Sequence, residues 1–170
     1  MKPAKKPAIH IRPATAADID DIERLEKVSF GDQAWDREII ESFLISSTED
    51  PSRVPCFIAF AKAANGEEKI AGYTIGCTGG KDKGMILDLA VSPDFKGLHL
   101  GRKLLQRVSK SLKDAGASEL TLEVETTNKA AITLYESVGF VKDHLMPDYY
   151  GKTRDAYWMT TKGAHKPPAL

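Results

Sequence analysis

MILDLAVSPDFKGLHLGRKLLQRVSKSL, residues Met85–Leu112, changes its apolar period halfway along. Met85 to Val91 is a strand-length apolar run closed by Ser92-Pro93, whereas Leu100, Leu104, Leu105, Val108 and Leu112 recur at helical spacing. Strand, glycine-bearing loop and long helix therefore follow one another. A turn of this kind gathers free backbone N–H groups and the positive end of a helix dipole at one point, which predicts a seat for a phosphate or pyrophosphate. Lys96, Arg102 and Lys103 add positive charge beside it. The loop lacks the Gly-Lys-Ser/Thr of a P-loop and the three spaced glycines of a dinucleotide fingerprint. Taken alone, it reads equally well as a plain strand-to-helix connection with solvated basic residues.

Working outward, Ile9 to Arg12 reads as a first strand. Thr15 then stands as an N-cap before a helix with Ile19, Ile22, Leu25 and Val28 on its buried face. A second helix after Trp35-Asp36 places Ile39, Ile40, Phe43 and Leu44 inward. Phe57–Ala61 and Ile70–Gly76 form a hairpin across Asn65-Gly66. Glu119–Glu125 alternates Leu120, Leu122 and Val124 with Thr121, Glu123 and Glu125, so it is a strand with two unlike faces. Asn128 caps a further helix that Gly139 ends, and two last strands begin at Phe140 and Ala156. Alternating strands and helices define an α/β domain over residues 9–162, between a basic N-terminal tail, 1–8, and a flexible C-terminal tail, 163–170.

The 170 residues suffice for one hydrophobic core, and 24 basic against 24 acidic residues leave no net field to draw the chain onto nucleic acid or an anionic membrane. No apolar run approaches the roughly 20 residues of a membrane span, and no apolar core follows the basic N-terminus, so a cytoplasmic protein is expected. Cys56 and Cys77 fall on hairpin partners and read as free core thiols; no histidine clusters with them, so no metal site is expected.

Two strings carry a family resemblance. Val91-Ser92-Pro93 followed by Lys96-Gly97-Leu98-His99-Leu100-Gly101 resembles the acetyl-CoA motif of the GNAT N-acetyltransferases, Gln/Arg-x-x-Gly-x-Gly/Ala after a strand ending in Val-x-Pro. Lys96 replaces Gln or Arg there, and His99 replaces the first glycine. LEVETTNKAAITLYESVGF, Leu122 to Phe140, is similar to the Leu-Glu-Val-x-x-x-Asn-x-x-Ala-x-x-Leu-Tyr-x-x-x-Gly-Phe signature of the RimI group, which acetylates protein N-termini, a ribosomal protein's among them.

The resemblance implies the GNAT fold, a mixed and mostly antiparallel sheet of six to seven strands with about four helices. It implies acetyl-CoA as co-substrate without a metal, and a protein or peptide N-terminus, such as a ribosomal protein's, as acceptor. A monomer or weak dimer is expected. By the same resemblance Glu123 is the general base, acting directly or through a water, and Tyr135 the general acid. Leu89, Ala90 and Val91 pair with the pantetheine through their backbone. Lys96, Gly97, Leu98, His99, Leu100, Gly101 and Arg102 hold the phosphates, and Asn128 and Tyr135 border the pantetheine arm. Trp35, Tyr149 and Tyr150 flank the acceptor, while Glu125 stands where bacterial RimI proteins carry arginine.

Acetyl transfer to an amine agrees with this assignment, because one proton must leave the attacking ammonium and another must reach the departing thiolate. Without the resemblance, Glu123 reads as a solvated strand residue, Tyr135 as a core aromatic and Asn128 simply as a cap. A histidine at position 99 calls for ordinary negative φ, met if the residue already lies in the first helical turn. Its imidazole then leans outward, available for a pH-dependent contact with phosphate. Acetylation of a small amine or a lysine side chain, or acetyl-CoA binding without catalysis, are the competing functions.

Overall fold

A computed structural model describes residues 7–62 and 66–163. In chain order it contains β1 (Ala8–Pro13), α1 (Ile19–Phe30), α2 (Arg37–Glu49), β2 (Cys56–Lys62), β3 (Glu68–Thr78), β4 (Lys83–Val91), α3 (Leu100–Asp114), β5 (Glu119–Glu125), α4 (Lys129–Glu136), β6 (Val141–Met146) and β7 (Ala156–Thr160). Most of the expected N-terminal tail, the C-terminal tail beyond Gly163 and Asn65 of the expected turn lie outside the described residues.

The strands form one sheet in the order β1-β2-β3-β4-β5-β7-β6. Every neighbouring pair is antiparallel except β4 and β5, which run parallel. Parallel neighbours need a crossover, and α3 supplies it.

Two cores lie on the two faces. Leu104, Leu105, Val108 and Leu112 of α3 pack with Leu120, Leu122 and Val124 of β5 and with Ile132 and Tyr135 of α4. On the other face Ile22 and Leu25 of α1 and Ile40 and Leu44 of α2 pack with Ile58, Tyr73 and Ile75. Truncating a fully buried leucine such as Leu104 to alanine typically costs about 2–5 kcal/mol. Helix α3 lies unusually close to the sheet at Gly76, where a Cβ would come 2.8 Å from Val108 Cγ2.

The expected buried stripes of α1 and α2 need correction. Val28 is 62% exposed, and the inward position one turn after Ile22 is Glu26, 1% exposed. Ile39 is likewise 42% exposed, and the buried residues of α2 are Ile40, Leu44 and Ser47. Thr15 precedes a short 3-10 turn rather than α1 itself; its N–H donates to Asp18, whose carboxylate also takes two bonds from Arg12, 2.7 and 2.8 Å long. Cys56 and Cys77 are free thiols. Among the described residues no helix is long and apolar enough to cross a membrane.

Candidate active site

The site begins where the sheet comes apart. β4 and β5 share only the register pairs Lys83–Glu119, Gly84–Leu120 and Met85–Thr121 and then diverge. Beyond Met85, β4 keeps β3 on one edge, with Leu89 opposite Thr74, Ala90 opposite Tyr73 and Val91 opposite Gly72. Its other edge therefore carries backbone N–H and C=O groups turned towards the gap rather than towards β5.

A cavity of about 320 Å³ opens at this gap, lined by residues of α1, β4, β5 and α4 and by the α1–α2 and β6–β7 connections. Leu89, Glu123, Asn128, Tyr135, Trp35 and Tyr150 all face it. Glu123 lies on the sheet face opposite Leu122 and Val124, as its alternation requires. Asn128 caps α4 by accepting the Ala131 N–H at 3.1 Å, leaving its amide NH2 to donate elsewhere.

Tyr135 is only 9% exposed, and its ring packs edge-on to Phe140 with centroids 6.0 Å apart. Its hydroxyl makes no hydrogen bond among the described residues. Because no side-chain oxygen sealed from solvent lacks a partner there, this hydroxyl opens into the cavity the residue lines. Burial first, then the charge of Asp88 and the neighbouring Tyr150, push the phenol well above its ordinary value, so it holds its proton at neutral pH.

Two groups of aromatic side chains flank the cavity. Trp35 stacks on Phe43 with centroids 5.3 Å apart, and its backbone N–H donates to Glu26 Oε1 at 2.7 Å. In the β6–β7 connection Tyr149 and Tyr150 pack edge to face, 4.9 Å apart. The Tyr150 phenol is pushed up to about 12 by burial and then by Glu123. Tyr149 is half exposed and outside the cavity lining; burial first, and then the nearby Glu123 charge, raise its phenol. The same connection is stapled to β5 by Arg154, whose Nε and Nη2 donate to the two carboxylate oxygens of Glu125, each at 2.8 Å. The carboxylate at position 125 is thus neutralised by an arginine from a neighbouring segment.

The phosphate-loop residues lie apart from this cavity. Lys96 is extended, Gly97 has φ 78°, and α3 starts at Leu100. Its first helical bond runs from the Lys103 N–H to the His99 carbonyl, 3.2 Å, leaving the amides of Leu100, Gly101 and Arg102 outside the helical ladder. The Leu100 side chain is core, so that residue offers only backbone. Gly101 lies close against α4, where a Cβ would meet Leu134 Cδ2 at 3.1 Å. Arg102 lines a second groove with Gln106 and Phe140.

His99 contradicts the expectation of negative φ. It lies one residue before α3 with φ 55° and ψ 25°, in the left-handed region. As the N-cap it is not bound to helical dihedrals, and the chain uses it to turn into the helix. A glycine would take this conformation without strain.

Two acidic residues of the cavity carry no expectation from the sequence, Glu26 and Asp88. The Tyr73 hydroxyl lies between them, bonded to Glu26 Oε2 and, at 2.7 Å, to Asp88 Oδ2. A charged residue at the inward position of α1 and an acidic residue inside the apolar run MILDLAV were the available signals.

Residues 17–140 match the acetyltransferase (GNAT) family, and the chain belongs to that family. It is 35% identical over 153 residues to an uncharacterized protein of Mycobacterium leprae, a match covering 85% of this chain and 38% of that protein. It is 40% identical over 72 residues to the [ribosomal protein bS18]-alanine N-acetyltransferase of Escherichia coli K12, covering 42% of this chain and 49% of that enzyme. The match thus spans about half or less of these relatives' lengths. The crystal structure of the ribosomal-protein-S18-alanine N-acetyltransferase from Escherichia coli superposes with a TM-score of 0.74 at 26% identity, over 96% of this chain and 99% of that one. The structure of the NatC complex bound to Gag peptide and CoA shares the fold, with a TM-score of 0.78 at 22% identity over 89% of this chain and 96% of that one.

Proposed function

We propose that the protein transfers the acetyl group of acetyl-CoA to the α-amine of a protein or peptide N-terminus, by direct attack in a ternary complex. The observation that carries this reading is the meeting, at one cavity between diverging strands, of Glu123 and the Tyr135 hydroxyl, which has no hydrogen-bond partner among the described residues. The co-substrate supplies a thioester carbonyl to be attacked and a thiolate to leave.

The residues present suit such a molecule. The open β4 edge at Leu89, Ala90 and Val91 offers backbone groups to the pantetheine amides, and Asn128 offers a side-chain donor beside them. The amides of Leu100 to Arg102 and the dipole of a 15-residue helix offer the pyrophosphate a positive end. Lys96, Gly97, Leu98 and His99 form the turn that leads into it.

Two protons must move. Glu123 takes one from the acceptor ammonium, directly or through a water, which frees the lone pair for attack. Tyr135 gives the other to the departing thiolate, and its raised pKa keeps that proton available. Trp35, Tyr149 and Tyr150 flank the acceptor chain, and the Arg154–Glu125 pair holds the tyrosine wall in place. The bS18-alanine acetyltransferase similarity and the NatC peptide complex support a protein N-terminus as the acceptor class, a ribosomal protein's included.

The test is thiol release from acetyl-CoA measured against peptides with free N-termini, N-terminally blocked lysine peptides and polyamines. Turnover on free α-amines is expected. Turnover confined to lysine peptides or polyamines would overturn the acceptor assignment.

A further inference from the structure

The Glu26–Tyr73–Asp88 bridge has no part in the two-proton scheme above, although two of its members face the acceptor cavity. Its existence depends on one irregularity. In the β3–β4 ladder Ile75 opposes Asp88 while Gly76 opposes Ile86, so Leu87 is an extra residue. Without that bulge Asp88 would share the face of Ile86 and point at α3. With it, Asp88 shares the face of Ile75 and Tyr73, turned towards α1 and the cavity.

The bridge also fixes a proton count. Tyr73 has a single hydroxyl hydrogen and touches a carboxyl oxygen on either side. Two bonds need two hydrogens, so one carboxyl carries a proton and the pair holds one negative charge. Burial first, and then the nearby Glu26 charge, raise Asp88 well above the usual carboxylate range; when Asp88 holds the shared proton, Glu26 is the charged end.

The charge can change ends without any group leaving its place. Asp88 passes its proton to the Tyr73 oxygen while Tyr73 passes its own to Glu26. One O–H bond forms for each that breaks, and Asp88 is left as the carboxylate.

A second observation points to a ligand at this place. The buried Tyr135 hydroxyl, from α4, opens into the same cavity with no hydrogen-bond partner among the described residues. After burial, Asp88 raises the Tyr135 phenol, and Glu123 and Asp88 both raise that of Tyr150. The groups around Asp88 are therefore Glu26 from α1, Tyr73 from β3, Glu123 and Glu125 from β5, Tyr135 from α4 and Tyr150 from the β6–β7 connection. Arg154 is the one cation among the described residues of the lining, and Glu125 holds it.

We propose that Asp88, exchanging its charge with Glu26 through the Tyr73 hydroxyl, is a substrate-binding residue that seats the acceptor's primary ammonium on the β4 side of the cavity, across the strand gap from Glu123. An arriving ammonium draws the negative charge onto Asp88. Glu26 and Tyr73 act through Asp88 and are positioning residues; Glu26 also anchors the Trp35 wall through its other oxygen. This inference rests on the acceptor reading given above.

Two isosteric variants separate binding from architecture. In Asp88→Asn, Tyr73 donates to Glu26 and the new amide donates to Tyr73, so every bond of the bridge persists but the charge is confined to Glu26. In Glu26→Gln the bonds to Tyr73 and to the Trp35 N–H also persist, and the charge is confined to Asp88. The experiment measures KM for a free-N-terminus peptide, Ki for the same peptide with its α-amine replaced by hydrogen, acetyl-CoA affinity and melting temperature.

Asp88→Asn is expected to raise the peptide KM by about 10–100-fold, the loss typical of a hydrogen bond to a charged group. The Ki of the des-amino peptide and the acetyl-CoA affinity stay as in the wild type. Glu26→Gln, in which the charge no longer divides between two ends, should move the peptide KM the other way, downward by up to about tenfold or 1.4 kcal/mol, with the des-amino Ki unchanged. An Asp88→Asn enzyme with unchanged peptide KM, or one that loses peptide and des-amino peptide in equal measure, overturns the proposal. So does a Glu26→Gln enzyme as impaired as Asp88→Asn. A wild-type enzyme that acetylates no free N-terminus refutes the acceptor reading instead, and is seen before any variant is made. Should Asp88→Asn melt early, Asp88→Glu keeps the charge and displaces it by one methylene, and an unchanged KM in that variant also counts against the seat.

Discussion

Replacing Tyr135 with phenylalanine removes one oxygen atom from the cavity wall and leaves the ring packed against Phe140. The hydroxyl has no hydrogen-bond partner among the described residues, so its deletion leaves no orphaned donor or acceptor, and stability should change by less than about 0.5 kcal/mol. For a chain of this size that is a shift of under about 2 °C in Tm. Loss of a general acid, by contrast, should lower kcat on the order of 10²-fold, roughly 2.7 kcal/mol of transition-state stabilisation. Thermal melting, acetyl-CoA titration and steady-state turnover on one peptide supply the comparison. The pH axis adds a sign. Because burial raises the phenol above its ordinary value of 10, Tyr135 remains protonated to at least that pH and contributes no alkaline fall in kcat below it. An unchanged kcat would remove Tyr135 from the chemistry, and a Tm loss of many degrees would show its hydroxyl to be structural.

Glu123→Gln keeps the shape of the proposed base but cannot take a proton, and should lower kcat/KM by roughly 10²-fold or more; wild-type rates in this variant would assign the base elsewhere. At His99 the left-handed backbone predicts that His99→Gly is as stable as the wild type or more so, while a β-branched valine costs about 1 kcal/mol or more. Chemical denaturation measures both, and a valine variant of full stability contradicts the left-handed turn. Asp18 lies below its ordinary 3.8 because, although burial raises it, the bonds from Arg12 and Thr15 outweigh burial. Its contribution is therefore present above pH 3.8 and is lost as pH falls through the folded value. Arg12→Met should cost about 1 kcal/mol at neutral pH, a figure discounted because the guanidinium is 41% exposed. That difference from the wild type should shrink on acidification, and a pH-independent difference would refute the ion-pair account.

The parts legible in the sequence are those where a single period decides the outcome. All five apolar residues of the α3 stripe are buried, because the stripe contains only Leu and Val and the polar faces leave no second solution. The Asn128 cap and the outward face of Glu123 follow from rules equally local. On α1 the inward position one turn after Ile22 is Glu26, and a count of apolar residues prefers Val28 although helical geometry does not. Asp88 is harder still, since the bulge that turns it over is set by how β3 and β4 register, a long-range fact with no marker in the residues themselves. His99 belongs to the same class, its φ being dictated by where the helix starts. The pairing of Glu125 with Arg154 joins residues whose neighbourhood is created by the insertion of β7 between β5 and β6.

The three-pair junction between β4 and β5 makes the sheet mechanically two pieces, a four-stranded plate and a three-stranded plate joined at one end. Such a joint resists shear along α3 but little opposes a small spreading of the free ends. A molecule lying in the gap, bonded to the β4 edge and gripped at the α3 terminus, would act as a splint across the two plates. Amide hydrogens at Leu89 to Val91 and along β5 should then exchange with solvent far more slowly once acetyl-CoA is present, while those of β1 and β2, remote from the joint, change little. Rigidity of the acceptor walls becomes a consequence of the first substrate's arrival, which favours an order of binding in which acetyl-CoA precedes the amine.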